Sequence, residues 1–252
     1  MTWSIVAREP ETGHLAIAVA TRFFAVGSLV PHIRGGIGAV ATQAFVSPLY
    51  GIDGVAMLAA GHAPEEIVTT LTAPDDGREQ RQFHLIDAKG NNAAFTGAKC
   101  VDWAGHLIDD NVSVAGNMLA GPQVIAETLS TFKKTKGKPL AERLLEAMRA
   151  GEDAGGDKRG KQSAALVIHR DQDYAWLNIR VDDSADPLTE LERLYAVAQE
   201  RYLHFAETMA TRQNPDGMID RREIDEKIAA LEAARIAEGR PSASFATLPK
   251  LS

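Results

Sequence analysis

The chain has 252 residues, of which 45% are apolar and 24% charged, and its formal net charge is −7 at pH 7. This apolar fraction supplies a sizeable core and excludes global disorder. The acidic balance argues against nucleic acid and against anionic membrane surfaces as partners.

The first part of the chain predicts strands. Residues 2–7 and 14–21 are apolar-rich runs that flank a turn containing Pro10 and Gly13, which predicts a hairpin. Residues 37–45 predict a third strand. These runs are nearly continuous rather than alternating, which is typical of a sheet covered on both faces.

The remaining elements come in blocks. In chain order we predict helices beginning at Pro48 and Pro64, strands over 80–87, 92–97 and 112–118, helices beginning at Pro122 and Pro139, a hairpin over 163–170 and 174–181, and a long helix beginning at Pro187. Strands and helices are thus segregated, which predicts an α/β (α+β) protein with two stacked sheets and helices outside them.

The C-terminal part differs from the rest. We assign residues 1–210 to one domain and residues 211–252 to a linker and a helical tail. An alanine-rich helix is predicted over 221–238, with Ile224, Ile228 and Leu231 in one stripe. Because so narrow a stripe cannot stabilise an isolated helix, the tail is expected to pack on the domain or on a second copy in a homodimer.

Residues 155–162, with the sequence GGDKRGKQ, approach the phosphate-loop pattern G-x-x-x-x-G-K-[ST]. Gln162 stands where a Ser or Thr would hold magnesium, and the predicted order is helix, loop, strand, the reverse of a phosphate loop. Nucleotide binding is therefore rejected. Two interpretations of this loop stay open: a solvated connection, or a pocket rim where Arg159 grips a carboxylate.

Nothing else in the sequence predicts a metal or a cofactor, and none is expected. The seven histidines form no paired metal-ligand motif, and there is no G-x-S-x-G motif. The lone Cys100 is interpreted as a small core residue and favours a reducing compartment. Without a signal-peptide pattern or a run of about 18 apolar residues, the expected location is the cytoplasm, away from membranes.

Thr2 is a candidate nucleophile. Removal of Met1, which is usual before a small residue, would give Thr2 a free α-amine with a pKa of about 7.7–8.0. That amine could accept the proton of the Thr2 hydroxyl near neutral pH, so one residue would supply both nucleophile and base. Any chain that starts Met-Thr meets this requirement, so the observation by itself predicts only a strand residue.

Six segments occur together in a characteristic order. They are TWSIVA at 2–7, GAVATQ at 38–43, Arg81-Gln82, Thr96-Gly97, GNML at 116–119 and AGGDKRGKQSAA at 154–165. As a set they resemble the domain of unknown function 1028 (DUF1028) family of the N-terminal-nucleophile (Ntn) hydrolase superfamily. The resemblance covers roughly the first 180 to 210 residues, the length of one domain, and excludes the tail.

That resemblance implies a four-layer αββα sandwich and, by superfamily analogy, hydrolysis of a small amide or peptide-like C–N bond. Thr2 would be the nucleophile, Asn117 or a backbone N–H beside it would stabilise the oxyanion, and Asp157 and Arg159 would orient the substrate or the amine. These four residues are expected to converge on one cleft. Further substrate-binding candidates are Ser4, Thr42, Gln43, Arg81 and Ser163.

The expected partner is a small-molecule substrate. Two alternatives to an enzyme stay open. The chain could be a small-molecule-binding protein that kept the Ntn-hydrolase scaffold without catalysis, or it could be a scaffold or oligomerisation module.

Overall fold

The structure is a computed structural model of the chain and describes residues 2–246. Met1 and residues 247–252 lie outside the described residues. The predicted removal of Met1 concerns one of these residues and stays a prediction. The chain divides into two compact units, Met1–Leu191 and Glu192–Ser252.

The strands of the first unit form two antiparallel sheets. In chain order the strands are β1 (Thr2–Arg8), β2 (Leu15–Thr21), β3 (Pro31–Arg34), β4 (Gly38–Ala44), β5 (Arg81–Asp87), β6 (Asn92–Thr96), β7 (Gly105–Asp109), β8 (Val112–Asn117), β9 (Ser163–His169) and β10 (Leu177–Val181). One sheet has the order β10-β9-β2-β1-β8-β7, and the other has the order β3-β4-β5-β6. The prediction of two sheets with antiparallel hairpins is confirmed, and β1 lies in the interior of the larger sheet.

Two strands, β3 and β7, were not predicted from the sequence. β3 and β7 are short, and their residues are half-buried or exposed, so neither shows an apolar run. Each lies at the edge of its sheet, where a strand is covered on fewer sides. Pro31 opens β3, which is one of the few strand positions that tolerate proline.

The helices of the first unit are divided between the sheets. Helices α1 (Pro48–Ala59) and α2 (Pro64–Thr72) contact the four-stranded sheet, whereas α3 (Gln123–Lys134) and α4 (Leu140–Asp153) contact the six-stranded sheet. Strands β1, β2 and β8 contact strands of the other sheet directly. One apolar cluster contains residues from both sheets, and a second joins α1 and α2 to the smaller sheet.

The alternation of side chains along β1 determines which of its residues face the opposite sheet. Val6 belongs to the cluster between the sheets, and Ser4 reaches a residue of the opposite sheet. Since successive side chains of a strand point to opposite faces, Thr2 shares this inner face with Ser4 and Val6, while Trp3 faces the helices. Accordingly, the Trp3 ring lies against Gly151 of α4.

The C-terminal part of the described chain, from α5 onward, contains only helices and loops. Helix α5 (Pro187–Val197) begins at the predicted proline, but a π-helical segment, Ala198–Tyr202, separates it from α6 (Leu203–Ala206). Helix α7 (Arg222–Ala237) confirms the predicted tail helix. The predicted apolar stripe is only partly right, because Ile224 and Ile228 are buried whereas Leu231 is 41% exposed.

The division between the units falls at residue 191, inside α5. The assignment of 1–210 and 211–252 to a domain and a tail stays a prediction. No helix within residues 2–246 is both long and apolar enough to cross a membrane.

Gly151 allows α4 to approach its neighbours closely, which gives a stability prediction. A Cβ at this position would lie 2.2 Å from Thr128 Oγ1 and 2.9 Å from Trp3 Nε1. A Gly→Ala change inside a helix normally stabilises by about 0.5–1 kcal/mol, but here we expect Gly151→Ala to lower the free energy of unfolding by about 1–3 kcal/mol through overpacking.

Urea unfolding of the purified variant measures this change. The double variant Thr128→Ala/Gly151→Ala removes the hydroxyl that meets the new methyl group and should recover part of the loss. A Gly151→Ala protein as stable as the parent would contradict the packing described here.

Candidate functional site

The candidate site begins at the first residue of β1. Thr2 is largely buried, and its Oγ1 donates a hydrogen bond to Thr21 Oγ1 on the neighbouring strand β2 at 3.2 Å. On the other side Thr2 pairs with Asn117 of β8, whose Nδ2 lies 3.4 Å from the Thr2 carbonyl oxygen. The structure therefore brings the predicted residues Thr2 and Asn117 together.

A cavity of about 170 Å³ lies next to this point. Its wall includes Thr21, the Trp3 ring, Glu152 near the end of α4, and Asp157 and Lys161 of the glycine-rich loop. Thr21 contacts the Thr2 hydroxyl and also lines the cavity, so it connects the two.

The Asp157 carboxylate holds the glycine-rich loop in place. It accepts hydrogen bonds from the backbone N–H groups of Arg22 and Arg159, both at 2.8 Å, and from the Arg159 guanidinium at 3.3 Å. A β-bridge also joins Asp157 to Leu119, two residues after Asn117. The loop is thus tied to the ends of β2 and β8, which favours its interpretation as a pocket rim.

A chain of buried polar side chains runs inward from Asn117 and crosses between the two sheets. Its members are almost fully inaccessible to solvent. Its hydrogen bonds join Asn117 Nδ2 to Gln82 Oε1 (3.0 Å), Gln43 Nε2 to Gln82 Oε1 (2.8 Å), Ser4 Oγ to Gln43 Oε1 (2.7 Å), Ser4 Oγ to His84 Nε2 (2.8 Å) and Ser113 Oγ to His84 Nδ1 (2.9 Å). We call these six residues the polar network.

The orientation of Gln82 follows from two backbone carbonyls. Its Nε2 lies 2.8 Å from the carbonyl oxygen of Gly116 and 3.1 Å from that of Gly105. A carbonyl oxygen can only accept, so this end of the side chain must be the NH₂ group. The other end, Oε1, therefore accepts from both Asn117 and Gln43.

The same logic fixes the rest of the network. Because Gln43 turns its NH₂ group toward Gln82, its Oε1 faces Ser4 and receives the single hydroxyl hydrogen of that residue. Ser4 Oγ can then only accept from His84, which must carry its proton on Nε2 and accept at Nδ1 from Ser113. Burial, with a smaller contribution from His106, lowers the pKa of His84 to about 3, so the ring is neutral near pH 7.

Both hydrogens of the Asn117 side-chain amide are used in hydrogen bonds. The two hydrogens of its Nδ2 are directed to Gln82 Oε1 and to the Thr2 carbonyl. The neighbouring N–H groups of Met118 and Leu119 donate to the carbonyls of Val101 and Trp103 at 2.7 and 2.9 Å. A role of this corner as an oxyanion donor would require one of these bonds to open, and it stays a prediction.

Three further predicted residues form buried hydrogen bonds within the first unit. Ser4 and Gln43 belong to the polar network, and their side chains are enclosed between the sheets. Ser163 Oγ donates to the carbonyl of Phe23 at 2.5 Å and accepts from the N–H of Val26 at 3.1 Å. Ser163 thus holds the turn that follows β2.

Thr42 and Arg81 are not brought to Thr2. Their neighbours Gln43 and Gln82 occupy the inner face of the smaller sheet, so Thr42 and Arg81 point to its helix-covered face. There Thr42 Oγ1 donates to the carbonyl of Ser47 at 3.0 Å, and Arg81 pairs with the Asp75 carboxylate. The expectation that they share a pocket with Thr2 is not met, because one position along a strand reverses the side-chain direction.

The sequence pattern did not predict a place near the candidate site for five residues, Thr21, Gln82, His84, Glu152 and Lys161. Gln82 and Lys161 lie inside segments that carried the family resemblance, and this was the one signal available for them. Glu152 gave no signal. Among the described residues, no group of three or more His, Cys, Asp or Glu side chains could hold a metal ion.

Comparisons with known proteins place the first unit in context. A model described as "Family of unknown function (DUF1028)" matches residues 2–191. The chain is similar to the crystal structure of protein SPO2555 from Silicibacter pomeroyi, also assigned to DUF1028, with 32% identity, a TM-score of 0.81 and coverage of 87% of this chain and 96% of that one.

A second solved structure, Anbu (ancestral beta-subunit) from Yersinia bercovieri, aligns over 83% of this chain and 99% of that chain with 13% identity. The TM-score of this alignment is 0.41. No curated protein matches the chain.

The orientation of Gln82 gives a stability prediction. Gln82→Met keeps the length of the side chain but leaves two carbonyls and the amides of Gln43 and Asn117 without their partner. At about 1–3 kcal/mol for each buried unsatisfied group, we expect a loss of several kcal/mol in the free energy of unfolding. Gln80→Met, at an exposed position nearby, is the control and should change stability by less than about 0.5 kcal/mol.

The neutral state of His84 gives a pH prediction. Its pKa is about 3 in the folded protein against 6.5 for the ordinary side chain, so the unfolded state binds the proton more tightly. The free energy of unfolding should therefore fall as the pH drops below about 6.5. In His84→Gln, which keeps a donor toward Ser4, urea unfolding at pH 7 and pH 4.5 should show a smaller loss.

The same urea experiment can contradict the neutral state of His84. An equal acid loss in parent and variant would contradict a neutral buried His84. Nitrogen-15 NMR of the parent protein should show the Nε2–H tautomer, and an Nδ1–H tautomer would contradict the hydrogen-bond order.

Proposed function

The chain belongs to the DUF1028 family, and we propose that its N-terminal domain is an Ntn-type hydrolase of a small amide or peptide-like C–N bond, with Thr2 as nucleophile. The observation that carries the proposal is the position of Thr2. It opens an interior strand, and its hydroxyl contacts Thr21, which lines the adjacent cavity.

The arrangement of the elements supports a four-layer αββα order as part of this proposal. The two sheets contact each other, α1 and α2 contact one of them, and α3 and α4 contact the other. In this order a cleft between the sheets would border the start of β1, where Thr2 lies.

The chemistry requires a free α-amine on Thr2. That amine accepts the hydroxyl proton while Oγ1 attacks the carbonyl carbon of the amide. The C–N bond then breaks, the leaving amine takes the proton from the Thr2 ammonium group, and the acyl group remains as an ester on Oγ1. Water hydrolyses the ester in the second half-reaction and restores Thr2.

The surrounding residues position this group. Thr21 accepts the hydrogen bond from the Thr2 hydroxyl. Asn117 holds the Thr2 carbonyl, and Asp157 with Arg159 fixes the loop at the end of β2. Their roles are those of positioning residues.

One observation favours a second candidate, a non-catalytic small-molecule-binding protein on the same scaffold. The hydrogens of Asn117 Nδ2 and the backbone N–H groups of Met118 and Leu119 all have acceptors. An oxyanion site needs donors aimed at the developing charge. A pocket that binds a small molecule does not.

The test starts with the mass of the intact purified protein, which should show that Met1 is absent. In a hydrolysis assay with a panel of small amides, Thr2→Ser should keep measurable activity because the hydroxyl and the amine survive. Thr2→Ala and Thr2→Val should lose at least about 10²-fold, since no nucleophile remains. Thr69→Ala, an exposed threonine on α2, is the control and should be fully active.

Two results would reject Thr2 as the nucleophile. These are full activity in Thr2→Ala and full activity in protein that keeps Met1. Thermal stabilisation by an amide that is never turned over would select the binding candidate.

A further inference from the structure

We propose that the cavity beside Thr21 binds a ligand that carries a positively charged amino group. Glu152 is the anionic anchor for that group, and Lys161 is the counter-ion that the ligand displaces. That the ligand is a substrate rests on the proposed function. In that case the substrates are small amides that bear an ammonium group.

Glu152 provides a buried negative charge at the cavity wall. Its side chain is only 8% exposed, and it forms an ion pair with Lys161 Nζ. The Arg149 guanidinium is more distant, at 3.8 Å. Glu152 also lies in the last turn of the 14-residue helix α4, where the helix dipole adds negative potential that favours a cation.

The two partners of this ion pair are buried to different extents. The Lys161 side chain is 41% exposed and has a long flexible stem, so its ammonium group can move into water at little cost. The Glu152 carboxylate cannot follow it. A cationic ligand can therefore replace Lys161, whereas an anionic ligand would take Lys161 and leave Glu152 buried without its close partner, which is costly.

The other carboxylate of the cavity is already committed. Asp157 is almost completely buried, and both of its oxygens accept hydrogen bonds, from Arg22 and Arg159. Exchanging these partners would detach the glycine-rich loop from β2. The exchangeable negative charge of this cavity is therefore that of Glu152.

The size and the wall of the cavity limit the ligand. Its volume of about 170 Å³ is close to that of the engineered cavity of about 150 Å³ that holds benzene. The apolar residues Trp3, Ala20 and Pro187 are part of the wall. A short apolar chain ending in an ammonium group fits these features, as in the amide of a small amino acid.

The experiment compares two ions of matched shape and opposite charge, butylammonium and butyrate. Dissociation constants are measured by NMR titration of the full-length Thr2→Ala protein. We expect butylammonium to bind at least about tenfold more tightly than butyrate. Glu152→Gln should weaken butylammonium binding at least about tenfold, because the anchor charge is removed.

The decisive variant is Lys161→Met. It removes the competing counter-ion, so butylammonium should bind several-fold more tightly. The controls are Glu146→Gln and Lys138→Met, which change an exposed ion pair that involves the same helix, and neither should alter binding by more than about twofold.

Unchanged or weaker butylammonium binding in Lys161→Met would overturn the assignment, as would butyrate binding equally well. If Glu152→Gln does not fold, Lys161→Met and the comparison of the two ions still decide the question. Because Thr2→Ala lacks the nucleophile, binding is measured apart from catalysis. Butylammonium binding to this variant, together with no hydrolysis of ammonium-bearing small amides by the parent protein, would reject the hydrolase proposal and leave the anchor assignment intact.

Discussion

The hydrogen bonds from Gln82 Nε2 to the carbonyls of Gly105 and Gly116 fix the interior of this protein. Gln82 belongs to the smaller sheet and both carbonyls belong to the larger one, so the contact joins the two sheets. A carbonyl admits no reversal of donor and acceptor. One amide orientation therefore determines the direction of every hydrogen bond from Asn117 to Ser113.

This constraint explains why so many polar groups can be buried between apolar strands. A polar group withdrawn from water costs free energy unless it is paired, and a partly paired network is worse than an apolar core. Each hydrogen bond of the polar network has one consistent donor and one acceptor. The network therefore specifies how the two sheets pair, and it delivers Asn117 to the carbonyl of Thr2 in a single orientation.

The cavity beside Thr21 differs from the polar network in its charge. Thr21 lines a cavity whose wall also carries charged groups, and there the buried Glu152 carboxylate forms an ion pair with the partly exposed Lys161. A rigid interior thus holds Thr2, while a replaceable ion pair borders the space beside it. That combination suits the proposed site, in which Thr2 stays fixed while ligands exchange.

The sequence by itself determined the strand and helix blocks, the hairpins, the tail helix and the place of Thr2 at the start of a strand. Apolar runs and Pro or Gly punctuation are local signals, and they are readable wherever an element is well buried. The edge strands β3 and β7 lack that signal. Only the tertiary structure decided that Thr21 and Gln82, rather than Thr42 and Arg81, contact Thr2 and Asn117. The hydrogen bonds of the candidate site join residues 19 to 115 positions apart. They depend on the sheet register, because a register shift of one residue moves every side chain of a strand to the other face of the sheet.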